Sequence, residues 1–298
     1  MLLHVVHETR YDYASPVKTA QHQAHLRPHT LAHQQLLRHA LRIEPEPAGV
    51  TGRTDTWGNV ASFFHLTHAH ARLRVVADSL VRTAPPPAPA GDMAWEDARE
   101  HMRYHRDAQW NPAGEFAFAS PCVPRHADFV AYAGPSFTPG RPLADAAREL
   151  AARIHADFAY RPQATDVSTP ALQALSLRHG VCQDFAHVML GCLRSLGLPA
   201  RYVSGYLLTE PPPGQPRLVG ADASHAWASV YLPGEDGRPG QWADLDPTND
   251  RAPGEDYVTL AIGRDYADVS PVRGVIHGGG HHPMKVAVTV APAPTMPS

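Results

Sequence analysis

The sequence predicts an α+β protein: a small β-sandwich-like N-terminal domain, then a core in which a cysteine-bearing helix packs on an antiparallel sheet. Three observations predict it. Residues 1–84 fall into short runs that alternate apolar and polar residues, the period of strands. Helical spacing begins only after Pro142, where Ala144 to Phe158 carries apolar residues three and four apart. Beyond a helix starting near Cys182, strand patterns return at Arg201 to Leu208, around His225 and at Gln241 to Asp246.

Each element has a local reason. Leu36 to Ile43 and Leu73 to Val81 read as strands, with Thr56-Trp57-Gly58-Asn59 as a turn between them, while Val17 to Leu26 is polar and rich in histidine. Pro85-Pro86-Pro87-Ala88-Pro89 opens a stiff connecting segment over 85–134, whose mixed residues 92–133 wrap one domain onto the other. The core is expected over 135–275. Thr169-Pro170 suits a cap and first helical position ahead of Leu172 to Leu177. On the cysteine helix, Phe185, Met189, Cys192 and Leu193 share a face, and Gly197 followed by Pro199 stops it. Pro211-Pro212-Pro213-Gly214 is a loop, and Glu235 to Gly240 closes a hairpin between the last two strands. Residues 276–298 are expected as a loop, a strand and, from Ala291, a disordered proline-rich tail.

Composition narrows the function. With 298 residues and 43% hydrophobic content the chain can fill a real core. A net charge of -3 and the lack of any basic block argue against a nucleic-acid or membrane partner. No run approaches the roughly 20 apolar residues of a membrane span. The start, Met1-Leu2-Leu3-His4-Val5-Val6-His7-Glu8, lacks a cationic segment, and His4 and His7 interrupt its apolar run. A cytoplasmic location is therefore expected. Cys182 and Cys192 lie ten positions apart on one helix, roughly 15 Å along its axis and beyond disulfide reach. Cys122 has no evident partner, so free thiols in a reducing compartment are expected, with Cys192 a small core residue.

The chemistry is concentrated in Gly180-Val181-Cys182-Gln183-Asp184-Phe185-Ala186-His187. A cysteine in the first turn of a helix sits where the N-terminal partial charge favours the thiolate. Ser224-His225-Ala226-Trp227 offers a base and Leu245-Asp246-Pro247-Thr248 a carboxylate, in the order nucleophile, base, orienter. Strand alternation puts His225, Trp227, Ser229 and Tyr231 on one face, and Trp242, Asp244 and Asp246 on one face of the returning strand. If His225 lies opposite Asp246, Trp227 opposes Asp244. A slip of two residues puts Asp244 opposite His225, and alternation alone leaves both open. The backbone N–H of Cys182 is a candidate oxyanion donor, with no second donor evident. Asp184 suits the helix start, His187 a hydrogen-bonded core position, and Trp227 and Trp242 the core or a cleft wall. No cofactor motif is present. The run His277-Gly278-Gly279-Gly280-His281-His282 reads as a flexible loop rather than a metal site, because no Cys or carboxylate spacing completes a zinc set.

Gly180 to His187, Gly-Leu-Pro-Ala-Arg-Tyr-Val-Ser-Gly-Tyr at 197–206, Ser-His-Ala-Trp at 224–227 and Asp-Pro-Thr-Asn at 246–249 resemble the bacterial transglutaminase-like family, whose members are described as candidate cysteine proteases. His7-Glu8-Thr9-Arg10-Tyr11-Asp12-Tyr13 with Pro16-Val17 resembles that family's N-terminal β region, so nearly the whole chain is covered. The resemblance implies a papain-like α+β core with Cys182 as nucleophile, His225 as histidine and Asp246, rather than Asp244, as carboxylate. Animal transglutaminases carry tryptophan after the nucleophile where this chain has Gln183, so calcium-dependent cross-linking is not carried over. The expected activity is thiol-dependent acyl transfer on peptide or glutamine-type amides, with hydrolysis ahead of transamidation because water is always at hand. A non-catalytic peptide-binding module and a histidine-based metal binder are the competing readings.

Overall fold

Strand β1 (Leu2–Ala24) organises one half of the molecule. The computed structural model describes residues 1–89, 91–106, 110–162, 164–209, 224–234 and 238–293. Along β1, Leu3, Val5, His7 and Thr9 are buried while their neighbours are partly exposed, the two-residue period of a half-buried strand. The register breaks between Asp12 and Val17, and with it the neighbours change. Before the break β1 pairs with β5 (His70–Thr83) and β13 (Met284–Pro292); after it, beyond a last pair of Val17 with His70, it pairs with β4 (Val60–Leu66) and β12 (Val272–Gly278). β2 (Gln34–Glu44) adds to β5, and β3 (Val50–Thr54) to β4 through the turn at 55–58. The strand-rich region is thus one curled, seven-stranded antiparallel sheet that takes two strands from the far end of the chain. Ala291 and Pro292, expected in an irregular tail, are strand residues paired with His4 and Leu3. Pro292 is tolerated there because β13 pairs with β1 alone and ends at that proline. Residues 294–298 of that tail lie outside the described residues, as do the Pro211–Gly214 loop and residues 235–237 of the hairpin loop.

The other half is built around one buried helix. α1 (Trp95–His101), a 3-10 turn at Pro112–Ala117, α2 (Ala127–Ala133), α3 (Leu143–Asp157) and α4 (Ala171–Leu177) precede it. Pro170 is the N-cap of α4, one place earlier than its predicted first helical position. Ala98, Val123, Phe129 and Ala133, from the segment read as a connector, pack in the same apolar cluster as the central helix. β6 (Ala159–Tyr160) and β7 (His179–Gly180) form a short parallel pair that delivers the chain to α5 (Cys182–Ser195). α5 is buried on every side from Gln183 to Arg194, not only along the predicted stripe; α2, α3 and α4 cover one side, and β8 (Ala200–Leu207) and β9 (Ser224–Leu232) the other. Gly191 marks how close that packing is: a Cβ there would stand 2.7 Å from the Phe129 ring. Gly197, at φ +86°, ends α5 with its N–H on Arg194 O and that of Leu198 on Leu193 O, a Schellman cap.

β8 and β9 join β10 (Gln241–Leu245) and β11 (Tyr257–Gly263) in a four-stranded sheet, order β10-β9-β8-β11, followed by α6 (Tyr266–Val269). Alternate residues of β8 tell how the halves meet. Ala200 and Tyr202 pack in the cluster of α5, whereas Tyr206 packs with Leu3, Val5 and Leu73 of the curled sheet. One face of the core sheet is therefore shared, α5 at one end and the curled sheet at the other, with a seam near Ser204. The free edge of β11 is closed by two buried carboxamides. Gln34 bonds the N–H and C=O of Thr259 at 2.7 Å each, and Asn59 those of Ile262 at 2.7 and 2.6 Å. Each side chain does what a residue of a neighbouring strand would do, which satisfies the edge and docks one half on the other.

Candidate active site

Cys182 is the first residue of α5, and the local sequence explains why the helix starts there. The N–H of Val181 donates to Asp184 Oδ2 at 2.8 Å, and Thr165 Oγ1 donates to the same oxygen at 2.7 Å. Asp184 is buried, and burial holds its carboxyl above the usual range against those two hydrogen bonds. Residue 180 has to be glycine because a Cβ there would come within 2.3 Å of Asp184 Oδ2. The Gly-Val-Cys-Gln-Asp spacing is thus a packed helix start with the thiol at its positive end.

His225 is the second residue of β9, and the hairpin register differs from both predicted alternatives. Ser229 pairs with Asp244 and Ala228 with Leu245, so the next place across from Asp246 belongs to Trp227. The contact that matters runs diagonally, a reach open to long side chains on one face. His225 Nε2 donates to Asp246 Oδ2 at 2.7 Å, and Trp227 Nε1 reaches Asp244 Oδ2 at 3.2 Å by the same diagonal. Every register shift of two leaves the same face inward, so alternation could not choose among them.

Asp246 is fully buried and saturated with donors. Its Oδ2 also accepts from Asn249 Nδ2 and Tyr257 Oη, both at 2.7 Å; Oδ1 accepts the N–H of Thr248 at 2.9 Å and that of Asn249 at 3.3 Å. Burial disfavours the carboxylate, yet the bonds from His225, Asn249 and Tyr257 leave its pKa below the usual value. Burial likewise disfavours a charged His225, but the hydrogen bonds and charges of Asp246 and Cys182 raise the ring to about 10. With Nε2 committed to Asp246, Nδ1 is the nitrogen left for the thiol. The structure therefore brings together all three residues singled out from the sequence. Asn249 and Tyr257 were not singled out. Asn249 stood inside the Asp-Pro-Thr-Asn run; Tyr257 comes from the next strand with nothing to mark it.

Cys182 is half-buried and opens on a cleft of about 330 Å³ in the seam between the halves. One wall comes from the core, with Gln183, Tyr202 and Ser204; the other from the curled sheet, with His7, Thr9, Met284 and Val286. Lys, Arg, Asp and Glu are all missing from the described lining. A groove of about 500 Å³ beside Arg99, Trp110 and Phe118 contains none of the three residues. His187 is buried and accepts the N–H of Tyr266 at 3.2 Å, a structural role. Burial pushes the thiol of Cys192 up, and that of Cys122 rises for the same reason and through Asp265. His277 to His282 occupies the end of β12 and the turn into β13, with Gly278, Gly279 and Gly280 all at positive φ. Among the described residues no cluster of three His, Cys, Asp or Glu is arranged to hold a metal.

A cysteine heading a buried helix, with a histidine on one antiparallel strand and an aspartate just past the end of its neighbour, defines a transglutaminase-like α+β protein. The chain belongs to the bacterial transglutaminase-like family: residues 3–82 match the bacterial transglutaminase-like N-terminal region and residues 131–247 the transglutaminase-like superfamily. It is 42% identical over 297 residues to an uncharacterized protein of Mycobacterium tuberculosis (strain ATCC 25618 / H37Rv), covering 97% of this chain and 92% of that one. An uncharacterized protein of Mycobacterium leprae is 33% identical over 293 residues, covering 97% and 98%. A protein-glutamine gamma-glutamyltransferase of Pseudomonas aeruginosa is 37% identical over 102 residues, 33% of this chain and 14% of that enzyme. Among solved structures, a cysteine protease candidate from Cytophaga hutchinsonii shares the fold, with a TM-score of 0.74 at 19% identity over 100% of this chain and 92% of that one.

Proposed function

We propose that this protein is a thiol-dependent acyl transferase that hydrolyses peptide or glutamine-type amides. The observation that carries the reading is the 2.7 Å bond from His225 Nε2 to Asp246, which leaves the other ring nitrogen free in the cleft that His225 shares with a cysteine at a helix N-terminus. Cys182 attacks the amide carbonyl as the thiolate, with its proton on His225. Collapse of the tetrahedral adduct breaks the C–N bond, and His225 gives its proton to the departing ammonia or amine. A thioester remains. Water then adds to it, losing a proton to His225, and the carboxylic acid leaves as the thiolate reforms. Asp246 keeps the ring oriented and stabilises its charge throughout. A described cleft lining without carboxylate or ammonium groups suits an uncharged amide.

The test is a peptide-amide library incubated with the protein and read by intact-mass spectrometry. An acyl mass on Cys182, absent in Cys182→Ala, is expected, with free acid as the product. If added primary amines divert most product to the new amide, transamidation is the activity, the reading that the Pseudomonas aeruginosa relative favours. Binding of peptides with neither adduct nor product would leave a non-catalytic module.

A further inference from the structure

We propose that the hydroxyl of Tyr202 is the second oxyanion donor, acting beside the backbone N–H of Cys182. The inference rests on the acyl-transfer reading and assigns a residue to the step for which the sequence offered only one donor.

Position comes first. Tyr202 lies on β8 opposite Ala228 of β9, on the face that carries α5. Its ring packs 5.1 Å from that of His187, on the second turn of α5, and the residue lines the same cleft as Cys182. Only 2% of it is exposed, so packing holds the ring in place. The neighbouring buried tyrosines are committed elsewhere: Tyr206 Oη pairs with His7 Nδ1 at 3.0 Å, and Tyr257 Oη donates to Asp246. No hydrogen bond is formed by the Tyr202 hydroxyl with another described residue, so on the cleft wall its O–H is available to a substrate oxygen that turns negative beside it.

Chemistry agrees with position. Burial, then the negative charges of Cys182 and its surroundings, push the phenol well above its ordinary pKa, so it keeps its proton and has an O–H to donate. Two rivals are weaker. The Gln183 amide already donates to Val167 O at 3.2 Å. Tyr160 sits at the rim with 53% of its surface exposed, where water competes for any oxyanion. In the proposed step no proton moves from Tyr202: its O–H and the Cys182 N–H hold the tetrahedral oxygen until the C–N bond breaks.

The test separates reactions that form an oxyanion from one that does not. Acylation by p-nitrophenyl acetate and hemithioacetal formation with a peptide aldehyde both place negative or partly negative oxygen at the site. Alkylation of Cys182 by iodoacetamide is displacement at a saturated carbon and does not. Tyr202→Phe should slow acylation and weaken the aldehyde complex about 10²–10³-fold, the loss typical of one donor, with alkylation unchanged within about twofold. Tyr160→Phe should change none of the three appreciably. Unchanged acylation in Tyr202→Phe overturns the assignment, as does an equal loss in alkylation, which would mean that Tyr202 only supports the thiol. Should that variant fail to fold, 3-fluorotyrosine at 202 keeps the shape and alters only the hydroxyl's acidity; an acylation rate that does not shift then overturns the proposal. Wild-type protein that is alkylated at Cys182 but never acylated overturns the acyl-transfer reading itself, and the donor with it.

Discussion

Buried histidines occur in both halves of this molecule and behave oppositely. In the curled sheet, His7 and His22 are pushed down to about 4, with burial the leading cause in each. In the core, His187 follows them to about 4 for the same reason. His225 is also largely buried, yet stands at about 10. The difference lies in the partners. His225 faces a carboxylate at 2.7 Å, itself held by four other donors, and has Cys182 beside it, whereas the ring nitrogens of His7 meet only the hydroxyls of Tyr206 and Thr9. Burial makes a histidine neutral by default, and a well-anchored carboxylate together with a neighbouring thiol reverses the sign.

Removing that carboxylate should make His225 resemble the others, and this is the largest effect expected. Asp246→Ala should lower kcat on the amide found by library screening about 10⁴-fold, the order seen when the carboxylate of such a triad is lost. Asp244→Ala breaks only the bond from Trp227 and should cost less than about tenfold, since it leaves the proton path intact. The reverse ranking would mean that Asp244 orients the base.

The two kinds of histidine should also shape stability on opposite sides of neutrality. For His7, His22 and His187 the unfolded chain takes up protons first, near 6.5, and the folded protein only near 4. Stability should therefore fall as the pH drops from about 6.5 to about 4, by up to about 3 kcal/mol for each fully buried ring. For His225 the folded pKa is the higher one. Its share is complete below about 6.5 and is lost as the pH rises toward about 10. Urea denaturation across the range should show both limbs, and Asp246→Ala should shrink the alkaline limb, leaving only what Cys182 contributes, while sparing the acid one. Loss of the acid limb in that variant would tie the two sets together.

How much of this was legible beforehand depended on sequence distance. Cys182 announced itself because a helix start is local: Gly180, Val181 and Asp184 form it within five residues. The strands that carry His225 and Asp246 were equally local. Their register was not, because two, zero or minus two residues of slip preserve the same inward face. The family resemblance chose Asp246 without the register, through Pro247 and Thr248. Contacts across the chain left no signature at all. β13 returns to lie beside Leu3 through Tyr11, Gln34 and Asn59 complete the edge of β11, and Tyr257 reaches Asp246 from the next strand. These are matters of packing between halves, and no periodicity encodes them.

His22 offers the finest cut through the comparison. It lies on β1 between Phe64 and Gly274, stacked on the Phe64 ring at 5.1 Å, and neither of its nitrogens has a hydrogen-bond partner among the described residues. His70 stands close enough to depress it further. Nothing there rewards an imidazole over an apolar side chain of similar size. The substitution His22→Leu should thus be tolerated at pH 7.5 and become relatively more stabilising at pH 5, where wild type must hold the ring neutral. The expected change in stability difference between the two pH values is about 1–2 kcal/mol, measured by urea denaturation of both proteins. A leucine variant that is less stable at both values would show that the ring nitrogens are satisfied by bound water, and that burial alone is not what keeps this histidine uncharged.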